Sequence, residues 1–198
     1  FRKLQFSSIK ARLSEATSLR MAMAPLIREQ ISPRRLKSSV IATGSSAALP
    51  PIEGLKETPF ITNKEVFSLE KLPESMVIIG GGPIGIELAQ AFARLGTKVT
   101  VVEFLPQILN ADDADMTNIV KGVLEEEGVE FLLGAAVQRM RNVGSEREVT
   151  FKKGDEVGSV RAETILVATG RKVNLEGMGL ENIGVTFDKK GLKLDEKL

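Results

Sequence analysis

The chain of 198 residues contains no cysteine, histidine, tyrosine or tryptophan. Without cysteine, neither a disulfide bond nor thiol chemistry can occur within it. Without histidine it lacks the commonest general base and a usual metal ligand. No apolar run approaches the roughly 20 residues that a membrane span needs. No metal site is indicated either, because the consecutive Glu125, Glu126 and Glu127 do not share one helical face. The apolar content of 42% is nevertheless enough for a buried core.

The net charge of +1 hides an asymmetry along the chain. Residues 1–42 carry nine lysine and arginine residues against two glutamates, a net +7, and the remainder carries 18 against 24, a net −6. The basic segment 1–37 has the composition of a transit peptide. Since Phe1 is not a natural start, this segment is expected to belong to a longer protein and is assigned to no domain. Nucleic-acid binding is not favoured, because no recognisable motif is present. We expect a cytoplasmic location, with an organelle as the alternative.

A glycine turn follows the apolar run Met76–Ile79 and carries the strongest signal in the chain. Its sequence, Gly80-Gly81-Gly82-Pro83-Ile84-Gly85, has the spacing of a dinucleotide-binding fingerprint. The first glycine of that spacing permits a tight turn, and the second lets backbone N–H groups approach a pyrophosphate. The third lets the following helix pack closely on the strand, and the positive end of that helix faces the phosphates.

An acidic residue stands where the fingerprint requires one. The second apolar run, Val99–Val102, ends at Glu103, 18 residues after Gly85. A carboxylate there accepts hydrogen bonds from the adenosine ribose and repels a 2′-phosphate. The next residues, Phe104–Gln107, contain no arginine that could accommodate such a phosphate. The sequence therefore predicts binding of NAD(H) rather than NADP(H).

The hydrophobic pattern predicts a doubly wound α/β fold of the Rossmann type, with a parallel sheet. Strands are predicted at about 75–80, 98–103, 129–132 and 164–168. A helix at 83–95 is predicted to bury Ile84, Leu88, Ala91, Phe92 and Leu95, and a helix at 112–127 to bury Met116, Ile119, Val120, Val123 and Leu124. Short alternating runs between 135 and 161 predict a small antiparallel β-meander at 137–141, 148–152 and 157–161.

The segments on either side are less regular. Residues 39–42 are predicted to form a short buried strand, and the proline-rich stretch 47–59 an extended connector. A brief helix is predicted to begin near Thr62 and to end at Pro73. The stretch 180–198 is expected to consist of loops and a last short strand.

Several runs together resemble one family. IGGGPIGIELAQAFARLG, VTVVEFLPQIL, ETILVATGR and GLENIGVTFDKKGLKLDEKL are similar to runs in the flavoprotein pyridine nucleotide–disulfide oxidoreductases, closest to the dihydrolipoamide dehydrogenase and mercuric-reductase-like branch. The resemblance spans about residues 38–198. It implies a remnant of an FAD domain with its connector at 38–73, an NAD-binding Rossmann domain at 74–171, and a return toward the FAD domain at 172–198.

The resemblance also implies roles for individual residues. In the family, a helix acid at the position of Glu87 pairs with a lysine near the flavin, and that lysine is not in this chain. Positions expected to bind NAD are Gly80, Gly81, Gly82, Pro83, Ile84, Gly85, Glu87, Glu103, Phe104, Val137 and Gly170, and positions expected near FAD are Thr43, Gly44 and Ser45. In the intact family enzyme, hydride passes between NAD(H) and FAD, the electron partner is a disulfide or lipoamide, and the enzyme is a homodimer.

The chain also departs from the family pattern. Val173 stands where the motif after Gly170 usually has proline, and Pro83 stands where the glutathione-reductase branch has a tyrosine. The family's FAD glycine motif, its redox-active cysteine pair and its catalytic His–Glu pair are missing. We therefore expect no catalytic residue in this chain and no turnover by it alone. A mercuric-reductase-like or NADH-oxidase-like member, or a non-catalytic nucleotide-binding module, remain alternatives.

Overall fold

The computed structural model describes residues 40–188 and 191–194, and the chain divides into two units, residues 1–42 and 43–198. The predicted basic segment 1–37 lies outside the described residues. All the elements named below belong to the second unit.

The helices and strands alternate along the chain. The helices are α1 (Pro83–Arg94) and α2 (Ala114–Glu126), and short 3₁₀ turns lie at Val66–Ser68 and Leu180–Ile183. The strands of the described residues are β1 (Ser45–Ala47), β2 (Ser75–Ile79), β3 (Lys98–Glu103), β4 (Glu130–Leu133), β5 (Ala135–Val143), β6 (Glu146–Lys153), β7 (Glu156–Ala162), β8 (Thr164–Val167), β9 (Arg171–Val173), β10 (Phe187–Asp188) and β11 (Gly191–Leu192).

A four-stranded parallel sheet in the order β4-β3-β2-β8 forms the centre, as the sequence predicts. Its inner strands are apolar on both faces, because both faces are covered. Met76 to Ile79 of β2 and Val99, Val101 and Val102 of β3 are all buried. The strand order reverses between β2 and β8, which creates a crevice at the carboxyl ends of these strands.

Helices cover one face of the sheet and the β-meander covers the other. Ile86, Ala89 and Phe92 of α1 pack with Ile78 and Val101 on the first face. On the second face, residues of the meander pack with the alternate side chains of the same strands: Met140, Val149, Phe151 and Ala162 pack with Val77, Ile79, Val102, Ile165 and Val167. The sheet is therefore the middle of three layers.

The predicted buried stripe of α1 is partly wrong. Ala91 is exposed and Leu95 is 65% exposed, whereas Gly85, Ile86 and Ala89 are buried. The close approach of Gly85 to β2 explains the difference, because it turns the face that carries Gly85 and Ala89 toward the sheet.

The prediction for α2 is wrong at three of its five positions. Met116 and Ile119 are each 62% exposed and Val123 is 43% exposed. The buried positions are Thr117 and Leu124. Thr117 tolerates burial because its hydroxyl donates to the carbonyl oxygen of Ala114 at 3.1 Å.

The predicted meander is confirmed, with longer strands than the sequence indicates. β5, β6 and β7 pair antiparallel, and β5 carries a bulge between Val137 and Arg139. Gly158 lies inside β7, where a Cβ would lie 2.7 Å from Cζ of Phe151. Glycine at this position makes room for the buried aromatic ring.

The N-terminal part differs from the prediction in two places. Val40–Ala42 is not a strand and Val40 is 90% exposed; the strand is instead β1, which pairs with β9. The predicted brief helix is only the 3₁₀ turn Val66–Ser68, which ends well before Pro73. In the described part of the chain, no helix is both long and apolar enough to cross a membrane.

Candidate functional site

The glycine turn leaves the carboxyl end of β2 in a conformation that only glycine adopts easily. Gly80 has a φ of 114°, and a Cβ on it would lie 2.6 Å from the carbonyl oxygen of Ala168. A side chain here would therefore collide with the chain that leaves β8. A Cβ on Gly85 would overlap the carbonyl oxygen of Gly80, so α1 can approach the turn only at this glycine.

Gly82 is different, because no neighbouring protein atom would collide with a side chain at this position. It has an ordinary φ of −76°, and a Cβ on it would meet nothing within 4 Å. Gly82 is also the N-cap of α1, Pro83 follows in the first helical turn, and no side chain caps the helix. The N–H groups of the first turn, at the positive end of the helix dipole, therefore have no capping side chain as a partner.

Glu103 connects the end of β3 to the glycine turn. One carboxylate oxygen accepts a hydrogen bond from the backbone N–H of Gly81, and the other accepts one from the N–H of Leu105 at 2.8 Å. The carboxylate is half-buried and held at a fixed place beside the turn. Each carboxylate oxygen can accept a second hydrogen bond, so Glu103 can still accept hydrogen bonds from the hydroxyl groups of a ligand.

A cavity of about 580 Å³ opens beside this carboxylate at the carboxyl ends of the strands. It contains several predicted site residues: Gly80, Glu103, Phe104 and Val137 all line it. Phe104 is 69% exposed, which is a high value for an aromatic side chain and leaves its ring available to a planar ligand. The cavity has the size and the largely apolar lining of a cofactor site, with Glu103 as its charged group.

Sequence reasoning missed one wall of the cavity, which Pro50, Pro51 and Ile52 provide. The connector is fixed there by Glu53, whose N–H donates to the carbonyl oxygen of Gln138 at 3.1 Å and whose carbonyl accepts from the N–H of Met140 at 2.8 Å. The adjacent prolines indicate an extended connector, but its pairing with the bulged strand β5 is a long-range contact without a local signal. The other lining residues that were not predicted are Ile79, Val102, Leu105, Ala135, Ala136 and Thr169.

The remaining predicted residues lie on two further parts of the fold. Gly170 has a φ of 138° and follows Thr169 at the cavity margin. Thr43, Gly44 and Ser45 lie at the pairing of β1 with β9, where Arg171 donates to the Ser45 hydroxyl and to its carbonyl oxygen, each at 2.6 Å. Glu87 is exposed on α1, and Ile84 is half-buried in its first turn.

A second cleft of about 420 Å³ is lined by Ala47, Leu49, Phe60, Thr62 and Glu65. Hydrogen bonds from the Thr62 hydroxyl at 2.6 Å and from its backbone N–H at 3.0 Å lower the pKa of Glu65. Both hydrogen bonds end on Oε2 of Glu65 and lie within residues 62–65, so the arrangement is a local turn contact. In the residues that the structure describes, no cluster of acidic side chains is placed to hold a metal ion.

Comparison with known proteins matches the chain to one family. The family model described as pyridine nucleotide-disulphide oxidoreductase matches residues 13–198. A dihydrolipoyl dehydrogenase from Acholeplasma laidlawii is 34% identical over 168 residues, which are 83% of this chain and 48% of that protein. A mercuric reductase from Staphylococcus aureus is 34% identical over 155 residues, 78% of this chain and 28% of the relative.

A solved structure is also similar. The HOCl-induced flavoprotein disulfide reductase RclA from Escherichia coli superposes with a TM-score of 0.70 at 29% identity, over 79% of this chain and 36% of that one. The chain therefore spans less than half the length of each of these relatives.

Proposed function

The chain belongs to the pyridine nucleotide–disulphide oxidoreductase family, and we propose that residues 74–171 form the NAD(H)-binding domain of a flavin-dependent enzyme of the dihydrolipoamide dehydrogenase type. The observation that carries this proposal is the open space at Gly82, at a helix N-terminus that follows a turn hydrogen-bonded to Glu103, whose side chain lines the crevice. Phosphate and ribose are the two ligand groups that these features suit.

The residues of the crevice fit a dinucleotide in separate places. The backbone N–H groups at Gly82 and in the first turn of α1 hold the pyrophosphate, because they are unsatisfied and lie at the positive end of the helix. Glu103 accepts the ribose hydroxyls. Phe104 and Val137, both on the cavity wall, contact the adenine. Gly170, beyond the end of β8, leaves room for the nicotinamide end.

The coenzyme itself supplies hydride transfer when it is bound. The chain's own residues bind and orient it, and none of them exchanges a proton or an electron pair. In the intact enzyme, Thr43, Gly44 and Ser45 would lie near FAD, and Glu87, which is exposed on α1, would pair with a lysine near the flavin that is not in this chain. The disulfide or lipoamide substrate and the dimer contact then belong to parts of the enzyme outside this chain.

Glu103 also supports a preference for NAD(H) over NADP(H). Its carboxylate is fixed by two backbone N–H groups and cannot easily turn away from the ribose. A 2′-phosphate would lie against this fixed negative charge, which costs free energy. The residues that line the cavity in the described part of the chain include no lysine or arginine that would offset the repulsion.

Titration of the purified chain with NADH and NADPH tests the proposal. Because the chain has no tryptophan, the fluorescence of the reduced coenzyme can be followed without energy transfer from indole. We expect saturable NADH binding, with NADPH bound at least tenfold more weakly. Absence of NADH binding by protein that is folded by far-UV circular dichroism would refute the proposal. Equal affinities would refute the coenzyme preference alone.

The type of enzyme needs a separate test in the full-length protein. The dihydrolipoyl dehydrogenase and the mercuric reductase are each 34% identical to this chain, and the dihydrolipoyl dehydrogenase matches over more residues, 168 against 155. We expect NADH-dependent reduction of lipoamide to exceed reduction of mercuric ion or of oxygen. Faster mercuric ion reduction would assign the chain to the other branch.

A further inference from the structure

Leu109, in the loop between β3 and α2, has an unusual backbone conformation. Its φ is 48°, and no other non-glycine residue has a positive φ in the described residues 40–188 and 191–194. This left-handed conformation is unfavourable for a residue that carries a Cβ. Such a conformation persists only where surrounding contacts determine it, and it often accompanies a functional constraint.

Two kinds of contact hold Leu109 in place. Its half-buried side chain packs against the core beneath α1 and α2, next to the fully buried Ile108. Its carbonyl oxygen accepts a hydrogen bond from the N–H of Asp112 at 2.9 Å, and Gln107 donates to the carbonyl of Asp112 at 3.1 Å. The core contact and the turn together stabilise the left-handed backbone.

The backbone of Leu109 reaches the glycine turn. Its N–H donates a hydrogen bond to the carbonyl oxygen of Gly81 at 2.8 Å. That carbonyl belongs to the same peptide unit as the N–H of Gly82. In a planar trans peptide the C=O and N–H groups point in opposite directions. Holding the Gly81 carbonyl toward Leu109 therefore holds the Gly82 N–H away from Leu109.

The preceding peptide is held in the same way from the other side. The N–H of Gly81 donates to Glu103, and this N–H shares its peptide unit with the carbonyl of Gly80. Both peptide planes of the turn are therefore fixed by residues at or after the end of β3. Glycines rotate freely, so this turn needs such external contacts to keep one orientation.

We propose that Leu109 is a positioning residue, whose left-handed backbone orients the N–H of Gly82 for the pyrophosphate of the coenzyme. This inference rests on the proposed function, because it concerns the same site. The leucine side chain supplies the anchor, and the backbone N–H supplies the contact. Neither atom group touches the coenzyme itself.

Three variants test the proposal: Leu109→Ala, Leu109→Gly and Val120→Ala. Leu109→Ala removes the anchor and keeps the Cβ that disfavours a positive φ, so NADH affinity is expected to fall at least tenfold. Leu109→Gly removes the same anchor, but glycine adopts the left-handed conformation freely. On a logarithmic scale, we expect the NADH affinity of Leu109→Gly to lie at least halfway from that of Leu109→Ala to that of the wild type. Val120→Ala is the control, because Val120 is half-buried against the same core; its affinity should stay within twofold of wild type.

Amide hydrogen exchange gives a readout that does not depend on the coenzyme. The Leu109 amide proton should be protected in the wild type, exposed to exchange in Leu109→Ala, and unaffected in Val120→Ala. Unchanged NADH affinity in folded Leu109→Ala, or no recovery in Leu109→Gly, would overturn the proposal while leaving the NAD assignment intact. If the wild type binds no NADH, the proposed function fails, and with it the part of this inference that concerns the coenzyme. Should Leu109→Ala not fold, Leu109→Val makes the same comparison, since a β-branched residue disfavours a positive φ while remaining apolar.

Discussion

Glu148 on β6 forms an ion pair with Arg161 on β7, with Oε2 and Nε 2.8 Å apart. The other oxygen of the same carboxylate lies 2.5 Å from Nη2 of Arg141 on β5. The glutamate side chain is only 6% exposed, whereas both arginines are about half exposed. One buried carboxylate thus joins all three strands of the meander.

This ion pair predicts an acid-dependent stability of the meander. The hydrogen bonds from Arg161 and then from Arg141 lower the pKa of Glu148 in the folded state. The associated stability is therefore complete above the unfolded-state pKa of a glutamate, about 4.3, and is lost as the pH falls through the lower folded-state pKa. We expect Glu148→Gln to reduce the free energy of unfolding at pH 7 and to flatten its decline in acid. Urea unfolding followed by circular dichroism from pH 7 to 3 measures this.

Glu146→Gln is the control for that prediction, because Glu146 lies on the same strand and is exposed. Its unfolding free energy should follow that of the wild type at every pH. An equal pH dependence in the wild type and in Glu148→Gln would contradict the assignment of the acid sensitivity to this carboxylate.

Two glycine substitutions should separate binding from folding. In Gly82→Ala the new methyl group enters open space at an ordinary φ, so the melting temperature should change little. NADH affinity should nevertheless fall at least tenfold, because the methyl group occupies the place of the pyrophosphate. Calorimetric titration and thermal melting of the same sample measure both quantities.

Gly85→Ala should give the opposite result. Its methyl group would overlap the carbonyl oxygen of Gly80, so α1 must move away from β2. We expect a loss of about 1–3 kcal/mol in unfolding free energy, the usual cost of overpacking. A Gly85→Ala protein as stable as the wild type would show that the helix can shift at no cost.

Removal of the Glu103 carboxylate should weaken NADH binding and reduce coenzyme selectivity. A hydrogen bond to a charged group contributes about 1.5–3 kcal/mol, so Glu103→Ala should weaken NADH binding by about 10- to 100-fold. NADPH should be affected less, because the repulsion of its 2′-phosphate disappears as well. Glu126→Ala, an exposed position on α2, is the matched control and should leave both affinities unchanged. Equal losses for both coenzymes would argue against a ribose contact.

Asn174 should control the stability of the pairing between β1 and β9. Its side chain accepts a hydrogen bond from the Ser46 hydroxyl at 2.9 Å and donates to the carbonyl of Thr43 at 3.2 Å. In Asn174→Ala we expect faster amide exchange in β1 and unchanged exchange in β3. Asn142→Ala serves for comparison, since its exposed amide donates elsewhere, to the carbonyl of Glu57 at 3.3 Å. Unaltered exchange in β1 would mean that the backbone ladder alone determines this pairing.

The parts of the fold that sequence predicts well depend on local patterns. The strands of the central sheet are continuous apolar runs, and Gly80 to Gly85, which form the turn and the start of α1, have a spacing that is itself the signal. The position of Glu103 beside that turn follows from the order of the strands. These features need no knowledge of distant contacts, and the structure contains them at nearly the predicted boundaries.

The wrong or missed predictions concern features that a local sequence pattern does not determine. Hydrophobicity alone places Met116 and Ile119 in the core, but α2 buries Thr117, whose hydroxyl bonds to its own helix. The wall formed by Pro50 and Ile52 depends on pairing with the bulged strand β5, which lies far away in the sequence. The left-handed backbone of Leu109 has no composition signal, because leucine rarely adopts it.

The antiparallel pairing of Ser45–Ala47 with Arg171–Val173 has a practical consequence for protein engineering. Because the chain enters and leaves the Rossmann region side by side, residues 48–170 are attached at a single place. A segment with adjacent ends can be grafted into a host loop without stretching that loop. All the residues that line the crevice, and the glycine turn, lie within this segment and would be transferred together with it.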